Sequence, residues 1–122
     1  VLASLSNGAG IAQLLRKVSF TGSDEAKLQD ALEELFAAEG LTFIREHKLS
    51  ERDRIDFYFP ELRLGVEVKT QGSLALVTRQ LHRYALSDHL DSLVLCTTLT
   101  RHMRVPSTML AKDVFIAWLG TL

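Results

Sequence analysis

A mixed α/β domain, with a sheet flanked by helices, is the fold class this sequence predicts. Three observations carry it. Leu28, Ala31, Leu32, Leu35 and Phe36 recur at helical spacing. Two runs over 54–59 and 62–70 read as β-strands around a Pro60-Glu61 break. A second helical pattern over 74–90 leads into an almost wholly apolar run at 92–98, the pattern of a buried central strand.

Residues 1–22 open rich in Gly and Ser and then carry a short apolar segment, 11–18, read as a helix. Ser23 is an N-cap candidate, with Asp24 and Glu25 in the first turn. Gly40 stands where a C′ glycine closes that helix. Residues 41–46 read as a strand and 48–53 as a polar turn before the two strands named above. Gln71-Gly72-Ser73 is a loop, with Ser73 a candidate cap for the helix over 74–90. That helix sets Leu74, Val77, Leu81, Tyr84 and Ala85 on one side. A loop over 100–108 and a last strand over 114–119 follow. The order is α-β-β-β-α-β-β, which packs naturally as a mixed sheet between helices. There is no repeat, low-complexity tract or linker, so residues 1–122 read as one domain.

With 47% hydrophobic and 24% charged residues, the composition is that of an ordinary soluble globular protein. No apolar run is long enough to cross a membrane. Val1-Leu2-Ala3-Ser4-Leu5 has neither the basic nor the long apolar region of a secretory signal, and a chain opening without Met reads as processed, truncated or oddly started. The single cysteine, Cys96, permits no internal disulfide and is compatible with a cytoplasmic location. A net charge of −1 argues against binding nucleic acid by bulk charge, yet the charges are unevenly placed. Acids gather between Asp24 and Glu39, while most bases come later, including Arg45, Lys48, Arg52, Arg54, Lys69, Arg79, Arg83, Arg101 and Arg104.

The chemistry concentrates in Ile55-Asp56-Phe57 and Val66-Glu67-Val68-Lys69. Asp56, Glu67 and Lys69 interrupt runs that otherwise read as core strand. Because strands alternate faces, Glu67 and Lys69 share one face while Val66 and Val68 point to the other. Paired as a hairpin, the two strands bring Asp56 close to Glu67. Adjacent carboxylates repel, and a bound cation is the common remedy. Two acids, a lysine and a divalent metal are the parts needed to cut a phosphodiester. The plain alternative for each residue alone is a solvated strand position, and Glu-x-Lys by itself is uninformative. Aspartate between two apolar strand residues is the unusual element.

This arrangement resembles the PD-(D/E)XK nuclease superfamily, the restriction-endonuclease-like fold, whose core order α-β-β-β-α-β is matched by residues 23–98. The motif stands here as Ile55-Asp56 and Glu67-Val68-Lys69, with Ile55 in place of the Pro. Gln80-Leu81-His82-Arg83-Tyr84 resembles the Q-x-x-x-Y helix motif of RecB-like nucleases. Glu25 resembles the first-helix acid of Holliday-junction-resolvase-like and VRR-NUC-type members. The resemblance implies Mg²⁺ or Mn²⁺ held by Asp56, Glu67, the Val68 carbonyl and Glu25. It also implies that Lys69 and Gln80 act on the attacking water or the phosphate. Arg54, Arg79, Arg83, Tyr84, Arg101 and Arg104 become the residues that meet nucleic acid. The implied partner is DNA, with RNA not excluded, cut with structural or weak sequence selectivity. A two-strand cut implies a homodimer. No membrane is involved.

Two other classes stay open on the sequence: a binding or assembly module that kept the fold and lost catalysis, and a structural subunit. The four histidines, His47, His82, His89 and His102, show no metal-ligand spacing. Glu33 and Glu34 read as a solvated face, Cys96 as a small buried residue, and Trp118 as core.

Overall fold

A computed structural model describes residues 5–120. Helix α1 (Gly8–Leu15) and helix α2 (Glu25–Ala38) precede three strands, β1 (Ile44–Lys48), β2 (Arg54–Phe59) and β3 (Leu64–Lys69). Helix α3 (Leu74–Ala85) crosses to β4 (Ser92–Thr97); a 3₁₀ turn (Thr100–Arg104), β5 (Thr108–Met109) and β6 (Lys112–Trp118) complete the chain. The six strands form one mixed sheet in the order β1-β2-β3-β4-β6-β5. β1, β2 and β3 are antiparallel neighbours, whereas β3, β4 and β6 run parallel. No helix among the described residues is long and apolar enough to cross a membrane.

The sheet is covered on both faces, as parallel strands require. On one side α1 and α2 bury Ile11, Leu15, Leu28, Leu32 and Phe36 against Phe57, Phe59, Val66, Val68 and Val94. On the other, α3 buries Val77, Leu81 and Tyr84 against Ile55, Leu93 and Leu95. Phe36 is the hub of the first core. Its ring meets Phe59, Phe57 and Phe43 edge-on, at centroid distances of 4.9, 5.2 and 5.7 Å.

Several boundaries differ from those the sequence suggests, each for a local reason. The cap of α2 is Asp24 and not Ser23: the Asp24 side chain accepts the Lys27 N–H at 3.1 Å. The first helix lies at Gly8–Leu15, earlier than 11–18, because Asn7 caps it by accepting the Gly10 N–H at 2.9 Å. β1 begins at Ile44 and not Leu41. Gly40 (φ +71°) and Leu41 send their N–H groups back to Ala37 and Phe36, so Leu41 closes the helix. α3 stops at Ala85, short of Leu90, where Ser87 turns the chain by bonding the His89 N–H. Leu90 is buried, but from the loop. Residues 100–108 hold the 3₁₀ turn and the start of β5, and Trp118 is only partly buried.

The pleat is interrupted once, in two strands at the same level. A regular strand would set Ile55 and Phe57 on one face, yet Ile55 joins the α3-side core and Phe57 the α2-side core. In β1, Arg45 reaches α2 while His47 stacks on Tyr58 across the sheet at 4.3 Å. Between them Glu46 adopts φ +56°, a left-handed conformation that costs a non-glycine residue about 1 kcal/mol or more. The β1–β2 pairs skip only Glu46 and Asp56. Both strands reverse their faces there, which turns Asp56 toward β3.

Phe36→Ala should lower the unfolding free energy by about 3–5 kcal/mol, since three ring partners lose their common neighbour in a dry core. Urea unfolding followed by circular dichroism checks this; a loss below 1 kcal/mol would mean the core repacks freely.

Candidate active site

β2 and β3 pair as backbone only from Phe57↔Val66 to Phe59↔Leu64. Beyond Phe57 the two strands part, and side chains take over the exposed backbone groups. The Val68 N–H donates to Asp56 Oδ2 at 2.7 Å, so a carboxylate stands where a ladder carbonyl would be. The Asp56 N–H points to Glu67 Oε1 at 3.4 Å. The Arg54 carbonyl accepts the Tyr84 hydroxyl at 3.1 Å. Just past β3, the Thr70 N–H donates to Glu25 Oε1 at 3.0 Å, and the Thr70 hydroxyl donates to the Ser23 carbonyl at 2.9 Å.

These bonds bring the acids and the lysine to one place. Glu67 and Lys69 lie on the α3 side of β3, with Lys69 Nζ at 3.4 Å from Glu67 Oε2. Gln80, mid-helix in α3, donates its amide to the Tyr84 hydroxyl at 2.7 Å. One helical turn separates that pair, the spacing at which side chains meet. Glu25, Lys69, Gln80 and Arg83 line a single open cleft of about 320 Å³ between the start of α2 and α3. Asp56 and Glu67 do not line that cleft; they lie behind Lys69, which does, Glu67 through its contact with Lys69.

Electrostatics distinguish this region from ordinary surface. Burial raises the Asp56 pKa to about 6; the Val68 N–H opposes the shift, and the charge of Glu25 adds to it. Burial, and then the charge of Asp56, push the Glu67 carboxyl well above its usual range. Glu67 is 3% exposed. Burial, followed by the nearby Glu67 and Asp56, raises the Tyr84 phenol, so it stays a donor at any ordinary pH. The same burial, then Asp56, lifts the Cys96 thiol to about 12, which leaves it inert. Two desolvated, mutually repelling carboxyls share one lysine.

Hard oxygen donors of this kind suit Mg²⁺ or Mn²⁺. Asp56 and Glu67 are the residues that could hold such an ion; Glu25 lines the cleft and spends one oxygen on the Thr70 N–H. Val68 offers only its backbone, since its side chain is buried in the opposite core. Among the described residues, no three His, Cys, Asp or Glu side chains stand together as a ready-made cage.

The bases named by the family likeness divide. Arg83 lines the cleft while its Nε donates to Asp53 at 3.2 Å. Arg79 and Arg104 are exposed, and Arg101 donates to the Gly72 carbonyl at 3.0 Å. Arg54 is exposed at the start of β2. Tyr84 presents almost no surface to a polymer: it is 2% exposed and its hydroxyl is taken up by the Arg54 carbonyl and the Gln80 amide. Arg45 is drawn away to Asp30 and Glu33, at 2.8 and 2.9 Å. Sequence reasoning missed Thr70, whose only signal is its position after Lys69. It also missed the role of His102, which is fully buried and bridges the Thr97 hydroxyl (2.7 Å) and the Gly72 carbonyl (2.8 Å). His102 thereby fixes the loop that follows Lys69.

The raised Asp56 pKa has a definite sign. The folded protein favours the neutral acid, so its stabilising share is present below about pH 4 and is lost as pH rises through about 6. In chelator, Asp56→Asn should therefore gain stability over the parent between pH 4 and 7, by on the order of 2–3 kcal/mol, because Asn still accepts the Val68 N–H. Denaturant melts across that range measure the difference, and a pH-independent difference would count against a desolvated carboxyl.

No protein family, curated protein or solved structure matches this chain.

Proposed function

We propose that this protein is a Mg²⁺- or Mn²⁺-dependent nuclease that hydrolyses phosphodiester bonds of DNA, of the PD-(D/E)XK type with a restriction-endonuclease-like core. The observation that carries the reading is the parted seam between β2 and β3. There Asp56 and Glu67 meet without a backbone ladder and Lys69 stands over them. Two further features support it. The element order α2-β1-β2-β3-α3-β4 is the order of that core. Gln80 and Tyr84 are joined by a hydrogen bond at the same cleft.

Asp56 and Glu67 would hold the ion, with the Val68 carbonyl and Glu25 as further oxygens. Bound there, a divalent ion supplies positive charge to a phosphoryl oxygen and makes a neighbouring water more acidic. The chain's own residues do the rest. Lys69 places an ammonium beside the position where negative charge grows on the phosphate. Gln80, fixed by Tyr84, offers its remaining amide atoms to water or a phosphate oxygen. Arg83 can exchange its partly buried partner Asp53 for a flanking phosphate, which positions the strand without reading its sequence. Tyr84 remains protonated and holds Gln80 and the start of β2 in place.

Cleavage of single-stranded, duplex, flapped and four-way DNA, with RNA alongside, tests the reading directly. Activity should require Mg²⁺ or Mn²⁺ and vanish in EDTA; undiminished cutting in chelator would sink the mechanism. Lys69→Ala should lower the rate about 100-fold or more while leaving Mn²⁺ binding in place, as the loss of one preorganised charge does elsewhere. Parent-like turnover in that variant would show that the site lies somewhere else.

A further inference from the structure

A second cleft, of about 470 Å³, opens at the ends of the parallel strands, where crevices of α/β sheets take ligands. Phe20, Leu119 and Trp118 supply apolar wall, and Ser23, Thr70 and Thr98 supply polar groups. No charged side chain among the described residues lines it. The floor is braced by backbone: Thr98 N–H donates to the Lys69 carbonyl at 3.2 Å, and Leu119 N–H to the Thr97 carbonyl at 2.8 Å. The Trp118 indole N–H is spent on the Thr98 carbonyl at 3.3 Å. Gly120 backs the ring so closely that a Cβ there would run into it. The indole therefore offers a ligand its carbon surface alone.

The two clefts share no lining residue, but consecutive residues at the end of β3 line them. Thr70 lines this one and follows Lys69, which lines the first. The Glu25–Thr70 and Thr70–Ser23 hydrogen bonds form the ridge between them. A phosphate belongs on the Lys69 side, where there is cation. The uncharged side fits a flat, neutral ring with polar edges.

We infer that this second cleft is a nucleobase subsite that takes one unpaired base of the strand whose phosphate lies at Lys69. The inference rests on the proposed hydrolase for the position of that phosphate. Stacking against the single tryptophan supplies affinity that tolerates any base, and the hydroxyls meet the base edge. A base held in a stacked duplex cannot enter without leaving its partner. The preferred substrate is therefore a single strand, flap or frayed end.

Trp118 is the only tryptophan, so its fluorescence reports on this cleft alone. The probe is an eight-nucleotide deoxyadenosine strand added to the protein in EDTA, where nothing is cut. A blunt duplex of equal length and free deoxyadenosine monophosphate serve as comparisons. A saturable quench by the single strand, much weaker with the duplex, is expected, and the monophosphate should quench only at far higher concentration. Trp118→Ala should weaken single-strand binding about 5- to 150-fold by anisotropy and leave duplex binding unchanged. Equal quenching by duplex and single strand, or no quenching at all, overturns the subsite, and the parent protein alone suffices for that reading. Cleavage in Mg²⁺ without selective quenching removes the subsite and leaves the hydrolase. Selective quenching without cleavage removes the hydrolase and leaves a base-binding cleft.

Discussion

Everything near the site depends on an unclosed hairpin. A β-hairpin normally satisfies its backbone with its own ladder, and a buried N–H or carbonyl left without a partner costs about 1–3 kcal/mol. Here the ladder between β2 and β3 stops after Phe57, and the groups beyond it are taken by Asp56, Glu67 and Tyr84. The side chains that could do chemistry are thus the ones that hold the strands together. This explains why their carboxyls remain buried despite the cost to their charge. It also explains how so small a domain can keep two acids in contact: the backbone supplies the hydrogen bonds that water otherwise would.

The rest of the fold serves to hold that seam at the sheet's end. Phe36 and its ring neighbours anchor β2 up to Phe57, and so fix the point at which the strands part. The N-terminus of α2 wraps the end of β3 through Thr70, and α3 closes the opposite face through Tyr84. His102 ties the loop between β3 and α3 to the end of β4. Two cores on opposite faces therefore converge on the short stretch of backbone where the strands part.

Much of this was legible in the chain. Leu28 to Phe36 at helical spacing announces α2, and Gly40 ends it. The alternation of Val66, Glu67, Val68 and Lys69 places the acid and the lysine on one face of β3. What escaped is what has no local pattern. A left-handed Glu46 carries no compositional signal, so the reversal of faces at Asp56 could not be read from a period of two. The choice of Asp24 over Ser23 as cap depends on which oxygen reaches Lys27 N–H, a matter of angstroms. Thr70 is unremarkable in sequence because its role depends on an acid 45 residues away. Nor does any local pattern show that the charge of Arg45 is absorbed by Asp30 and Glu33 from a neighbouring helix.

The break at Glu46 has a consequence beyond aiming Asp56. β1 is an outer strand of the sheet, with one row of backbone groups open to the surroundings. Such rows recruit strands from other molecules and seed aggregates when they are long, flat and apolar. β1 is five residues long, carries Arg45, Glu46 and Lys48, and is bent at its midpoint by a left-handed residue. No straight strand can zip along it for more than a residue or two. The kink that orients a buried carboxyl on one side of the hairpin therefore also keeps its outer side from templating self-association.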